Sequence, residues 1–319
     1  MHLFPAQANG YPGIDFGNQC WAAEPYPGPG YRGQNKPANN RLRKCPNLQR
    51  DLHACRQQNT GIARKTILLS VGGGSTAYQL TGAADGDALA KQLWYMFGPR
   101  QNSWVKQGLP RPFDLGSVGF AVDGFDLDIE HRSTDGGAGY KALATRLRSL
   151  YATQAPPGSK FYLTASPQCA VPEANMRDVL VATAFDAVFV QFYNTPQCSA
   201  RRWADANPGY VPGGPVKPAD FTYDAWTAFL RATKYSKNAR VFLGLPASAA
   251  AARPGFDLSV KQATDLVNAF YCRPNFGGVA VWDATYAAAH VVGGKNFYQN
   301  MKGALDAASR DKRLSCTKK

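Results

Sequence analysis

The stretch VDGFDLDIEH, residues 122–131, places four carboxylates, Asp123, Asp126, Asp128 and Glu130, within eight residues. Large apolar residues, Leu127 and Ile129, separate the last three. Side chains along a strand alternate between its faces. Phe125, Leu127 and Ile129 therefore share one face, and Asp126, Asp128 and Glu130 the other. Carboxylates ~6–7 Å apart along a strand, in a partly dry interior, cannot all ionise easily, so at least one pKa is raised. This is how a protein keeps a carboxylic acid protonated near neutral pH and ready to donate its proton. Three other readings compete with acid catalysis. A divalent cation could neutralise the cluster, although the later ligands of an EF-hand loop are missing. The strand could be an exposed edge with a solvated acidic face, which the large apolar residues between the acids argue against. The acids could also be partners of buried arginines.

The elements that would position these acids follow a rhythm. Short apolar runs rich in Val, Ile and Phe occur at 65–74, 117–130, 160–169, 185–194, 239–247 and 276–284, and each reads as a buried strand. Helical spacing separates them at 85–98, 139–153, 223–235 and 259–271, with a shorter piece around EANMRDVLVAT. Residues 1–60 are rich in Pro, Gly and Asn and read mostly as loop. Strands alternating with helices predict βα units on a parallel sheet. Polar residues and glycines gather at the C-terminal ends of the strands, the end that carries the active site in a (β/α)₈ barrel. A dinucleotide-binding sheet is the alternative, weakened because the first βα turn has no G-x-G-x-x-G. SVGGGS at 70–75 has glycines without that spacing and without a P-loop lysine. With no internal repeat and no linker, residues 1–319 read as a single domain.

The composition narrows the class. At 45% hydrophobic and 12% aromatic, a chain of 319 residues can build a sizeable core. No apolar run reaches the ~18 residues that would span a bilayer, so a soluble protein with no membrane partner is expected. The net charge of +14 raises nucleic acid as a partner. Lys and Arg are scattered, however, and no zinc-finger or aromatic-basic RNA-binding pattern accompanies them, so no nucleic-acid partner is expected. A basic surface suits solubility or adhesion to an anionic wall. The seven cysteines include no C-x-x-C, and their scatter suggests disulfides and an oxidising compartment. MHLFPAQANGYPG shows no signal-peptide pattern.

DGFDLDIE resembles the D-G-x-D-x-D-x-E signature of glycoside hydrolase family 18. LLSVGGG is similar to its S-x-G-G strand, VQFYN and GGVAVWD resemble its sixth and eighth strands, and TASPQC with QFYNTPQC resembles the class III, hevamine-like chitinase branch. The segment GPRQNSWVKQGLPRPFDLGS looks more fungal than plant. The resemblance covers roughly residues 5–290 and implies a TIM (β/α)₈ barrel with strands three to eight clear and the first two largely missing. It implies an endochitinase cutting β-1,4-linked N-acetylglucosamine polymers, most simply as a monomer. Glycosidases ordinarily need two carboxylates flanking the bond. In the family resembled, the substrate's own acetamide attacks the anomeric carbon instead. Glu130 would then be the acid, Asp128 would steady the acetamide as it becomes an oxazolinium, Asp126 would share a proton with Asp128, and Tyr193 would bond the acetamide oxygen. Trp282 would form the floor under the sugar, with Gln191, Gly73 and Asn194 as further substrate contacts, while His131 reads as structural. No nucleotide, metal or flavin is implied. Two alternatives within the resemblance are a non-catalytic sugar-binding or inhibitor relative and an endo-N-acetylglucosaminidase acting on glycoproteins. Relatives without activity commonly lose the acid, which is present here.

The resemblance also implies disulfides Cys169–Cys198 and Cys20–Cys45, and an extracellular location. It leaves Cys272 and Cys316 open, and it matches Cys55 to a cysteine that the family pairs near its N-terminus. With an odd cysteine count and six strands where eight are implied, the N-terminus reads as shortened, MHLFPAQ being the tail of the second barrel strand. A chain lacking two strands would expose sheet edges, so low solubility and weak or no activity are expected, an inactive truncated fragment being a further alternative.

Overall fold

In the computed structural model of the protein, residues 2–4, 13–15, 24–31, 42–58, 64–76, 78–314 and 316 are described. The alternation of short apolar runs and helical spacing becomes a series of βα units. Two short strands come first, β1 (His2–Phe4) and β2 (Gly13–Asp15). There follow α1 (Pro46–Gln58), β3 (Leu69–Gly73), α2 (Gly82–Phe97), α3 (Asn102–Lys106), β4 (Gly124–Ile129), α4 (Ala138–Gln154) and β5 (Tyr162–Ala165). The chain continues through α5 (Arg177–Ala182), β6 (Ala187–Gln191), α6 (Ala200–Ala206), α7 (Tyr223–Ala232), β7 (Arg240–Pro246), α8 (Val260–Phe270) and β8 (Phe276–Trp282). It closes with α9 (Ala284–Ala289), β9 (Val291–Val292), β10 (Lys295–Asn296) and α10 (Phe297–Ala308).

The strand order β3-β4-β5-β6-β7-β8 is the sequence order, and β3 with β4, β6 with β7 and β7 with β8 pair in parallel. Together with the intervening helices this is a (β/α)-barrel-type fold. β1 pairs with β2, antiparallel, in a separate two-stranded sheet. His2–Phe4 is thus a strand, as the tail reading of MHLFPAQ requires, but its ladder partner is Gly13–Asp15.

The chain divides into two compact units: Met1–Thr164 with Ala182–Ala184, and Ala165–Val181 with Phe185–Lys319. In the first unit α2 and α4 pack through leucines at helical spacing, Leu89 and Leu93 on one helix, Leu143, Leu147 and Leu150 on the other, all buried. The helices approach closely at a glycine: a Cβ on Gly86 would stand 2.0 Å from the Gly139 carbonyl oxygen. Gly86→Ala is therefore expected to destabilise the protein. Better helix propensity gains ~1 kcal/mol, and forcing a methyl against backbone costs about 1–3 kcal/mol or more. The check is a lower thermal midpoint by circular dichroism; a raised midpoint would show that the contact relaxes without cost.

Residues 46–58, read from sequence as loop, are the helix α1. Its inward face is polar, with Gln49 and His53 buried. The Gln49 amide donates to the Asp114 carbonyl, and His53 Nε2 lies 2.9 Å from the Phe113 carbonyl oxygen. An apolar period was absent because hydrogen bonds replace it. The segment those bonds reach is itself built on a buried ion pair. Arg111, fully buried, pairs with Asp114 at 3.0 Å and donates to the carbonyls of Tyr95, Gly98 and Phe120. Each donor is matched, which is what lets a buried guanidinium persist.

The second unit packs β6, β7 and β8 with Trp203, Trp226, Tyr223, Phe192 and Phe270, all buried. Two disulfides are seen here, Cys169–Cys198 and Cys272–Cys316, closing separations of 29 and 44 residues. Loops of that length correspond to roughly 4 kcal/mol each in the chain-entropy account. The first was expected from the family resemblance; the second had been left open. Cys45 is disulfide-bonded, and Cys20 lies outside the described residues. Cys55, half-buried on α1, takes no part in the two bonds of the second unit. No helix of the described residues is long and apolar enough to cross a membrane.

Candidate active site

The acidic strand behaves as its alternation predicts. On β4, Phe125, Leu127 and Ile129 are buried, and Asp126 on the opposite face is only 5% exposed. Its carboxylate accepts from Ser70 Oγ at 2.8 Å and from Thr164 Oγ1 at 2.6 Å. The first contact follows from register, because Ser70 on β3 pairs with Asp126. Asp128, half-buried, is the carboxyl whose pKa is raised. Burial, then the negative charges of Glu130 and Asp126, push its pKa well above the ordinary 3.8, and it shares a hydrogen bond with Glu130. Glu130 stands one residue past the end of β4, half-buried, and its Oε2 lies 3.5 Å from where a Cβ on Gly74 would be.

Asp123, the first of the four acids, has a different task. Arg56 donates to it at 2.9 Å, Arg64 pairs with its other oxygen, and the Ile67 N–H donates at 2.8 Å. It anchors the entry of β4 through two arginines that are themselves partly exposed. Among the described residues no group of His, Cys, Asp and Glu side chains is arranged to hold a metal ion.

Gly73 ends β3 with φ +107, and its carbonyl accepts from Tyr78 Oη at 2.9 Å. Ser70, Thr164 and Tyr78 were not singled out from the sequence. Ser70 and Thr164 left a trace there, each a polar residue inside an apolar strand run. Tyr78 left none, since it lies on the loop beyond β3. His131, read as structural, packs its ring against Tyr78 with centroids 4.4 Å apart.

The remaining candidates belong to the second unit. Gln191 ends β6, and its amide donates to the Ser166 carbonyl at 2.9 Å. Tyr193, two residues on, is half-buried. Asn194 adopts φ +61, and its side-chain oxygen accepts from the Arg253 N–H at 2.8 Å, so part of its amide holds a loop. Trp282 is the last residue of β8 and is 51% exposed, unlike the core tryptophans of the same unit. An indole exposed at a strand's C-terminal end is a platform for an apolar ligand face. The Asp283 carboxylate beyond it caps α9 through the N–H groups of Thr285 and Tyr286.

Sequence comparison decides the family. The profile described as Glycosyl hydrolases family 18 matches residues 34–257. The chain belongs to glycosyl hydrolase family 18. Among its relatives in that family, Endochitinase A1 of Aspergillus fumigatus is 36% identical over 309 residues, which cover 96% of this chain and 31% of that protein. The chain thus spans about a third of the length of that relative. Two solved structures of the same fold are similar to it. A chitinase from Ipomoea carnea is 26% identical, with TM-score 0.59, covering 82% of this chain and 79% of that one. A xylanase and α-amylase inhibitor protein from Scadoxus multiflorus is 30% identical, with TM-score 0.60, covering 85% of each chain. The stretch DGFDLDIE falls on β4 and the one residue on either side of it, and SVGG falls on β3.

Proposed function

We propose that this family 18 protein is an endochitinase that hydrolyses β-1,4-N-acetylglucosamine linkages with retention, through the substrate's own acetamide. The observation that supports this reading most is the acid pair on β4: Glu130 at the mouth end, hydrogen-bonded to an Asp128 whose pKa burial and its acidic neighbours raise. One positioned acid with a proton-bearing neighbour suits a reaction in which the second carboxylate of an ordinary glycosidase is not needed. Glu130 protonates the glycosidic oxygen. The acetamide oxygen bonds to the anomeric carbon as the leaving sugar departs. Asp128 steadies the charge on the oxazolinium, giving up its proton toward Asp126. Tyr193 bonds the acetamide oxygen and Trp282 packs under the sugar ring. Gln191, Asn194 and Gly73 complete the substrate contacts. Water then opens the oxazolinium, with Glu130 acting as base. The protein would work as a monomer outside the cell, where its disulfides persist.

The test is hydrolysis of N-acetylglucosamine oligomers followed by NMR of the first product. The β-anomer is expected, together with inhibition by a thiazoline mimic of the oxazolinium. An initial α-anomer would rule out substrate assistance. The likeness to an inhibitor protein suggests a second outcome, oligomer binding with no turnover, which would place this chain among sugar-binding relatives.

A further inference from the structure

The loop beyond β3 brings one side chain to the backbone that carries both acids. Tyr78 is 3% exposed. Its hydroxyl lies 2.9 Å from the Gly73 carbonyl oxygen and 3.2 Å from that of Asp128, and it accepts from the Glu130 N–H at 3.1 Å. A phenol has one proton to give, so the two carbonyls share it, and an oxygen lone pair takes the N–H. The β3–β4 ladder ends at Gly73 opposite Ile129. The backbone groups just past that end have lost the regular ladder, and buried backbone polar groups must be matched. The phenol takes the place that another residue of β3 would have filled.

The geometry has a further content. The Asp128 carbonyl belongs to the peptide before Ile129, and the Glu130 N–H to the peptide after it. Tyr78 therefore grips both peptide planes between the two acids. It also grips Gly73, and the next residue, Gly74, lies beside the Glu130 carboxyl. The space for the hydroxyl comes from Gly72, where a Cβ would stand 2.0 Å from the Asp128 carbonyl oxygen and 3.1 Å from Tyr78 Oη. The ring is in turn held by His131, the residue after the acid. We propose that Tyr78 is a positioning residue for Glu130: it touches no substrate, and it fixes the direction in which the acid delivers its proton and the separation between that acid and Asp128.

This role rests on the reading of Glu130 as the acid, and the experiment separates the two. Tyr78→Phe keeps the ring and its packing and removes only the hydroxyl. On N-acetylglucosamine oligomers, kcat per binding-competent site is expected to fall roughly 10- to 100-fold, the effect of misplacing a reacting group by about an ångström. KM and the dissociation constant for the oligomer should change less than about twofold, since only a transition-state interaction is lost. His131→Ala removes the support of the ring without touching its hydroxyl. It should lower kcat several-fold with the same KM, and it decides the matter if Tyr78→Phe fails to fold. A merely structural tyrosine would lower the number of binding sites and the melting temperature while leaving kcat per site unchanged, and that result overturns the proposal. Wild-type turnover, a dead Glu130→Gln and an unchanged Tyr78→Phe would overturn the role of Tyr78 alone. A wild type that does not hydrolyse the oligomers would overturn the function and this role together.

Discussion

Glu130→Gln removes hydrolysis of N-acetylglucosamine oligomers and leaves their binding in place. Gln has nearly the volume of Glu and fits the same space beside Gly74. It can still hydrogen-bond a glycosidic oxygen but has no acidic proton to give. General acid catalysis supplies ~10²–10⁴-fold on its own, and kcat should fall by at least that factor because Glu130 serves both chemical steps in the proposed mechanism. Steady-state kinetics and calorimetric titration of the variant with an oligomer read the two halves of the expectation. Turnover within about tenfold of wild type would sink the assignment of the acid, since a loss that small lies below what one positioned proton contributes.

Asp128→Asn lowers turnover and, at neutral pH, raises stability. The rate argument is that an amide cannot become a carboxylate beside a developing positive charge. Removing one preorganised electrostatic partner typically costs ~10²–10³-fold in kcat. The stability argument follows from the raised pKa of Asp128, caused first by burial and then by Glu130 and Asp126. The folded protein holds a proton that the unfolded chain releases above 3.8. Stability from that proton is complete below the unfolded pKa and is lost as pH rises toward and through the folded one. Asn carries no such penalty. The melting temperature of the variant relative to wild type should therefore climb with pH from about 4 upward, approaching zero difference on the acid side. Thermal melts across pH 4–8, taken with kcat, check both. A variant less stable than wild type at neutral pH would mean that the Asp128 carboxyl contributes more through its bonds than burial takes away. Trading stability for function is a common cost of a working site.

Much of this was legible before any coordinates. The period-2 alternation around Phe125, Leu127 and Ile129 fixed which acids share a face, because large apolar residues can be satisfied only by burial. The six parallel strands stand where β-branched and aromatic runs end in glycine or polar residues. α8 stands where helical spacing over 259–271 places it, and its Ser259 and Gln262 capping box marks the start. What escaped was held by polar contacts. α1 hides behind Gln49 and His53, whose partners are carbonyls more than fifty residues away. α10 begins with a capping box of Asn296 and Gln299, a signal that was available and not used. The division of labour between Asp123 and the other acids was not readable either, since Arg56 and Arg64 meet it only after folding. Cys272 and Cys316 could be matched only once their Cα atoms stood 4.8 Å apart.

β4 is fastened at both ends. Asp123 is held at the entry by two arginines and the Ile67 N–H, and the Tyr78 hydroxyl receives the Glu130 N–H at the exit. Between those anchors the strand has no slack, and its side chains repeat every second residue. The segment therefore works as a ruler whose length is counted in residues. Exchanges of one apolar residue for another leave the count unchanged. Inserting or deleting a single residue between the anchors does not: the stretch beyond it turns over, presenting carboxylates to the helices and leucine or isoleucine to the opposite, acidic face. Sequence drift in this stretch can therefore proceed by substitution but not by change of length.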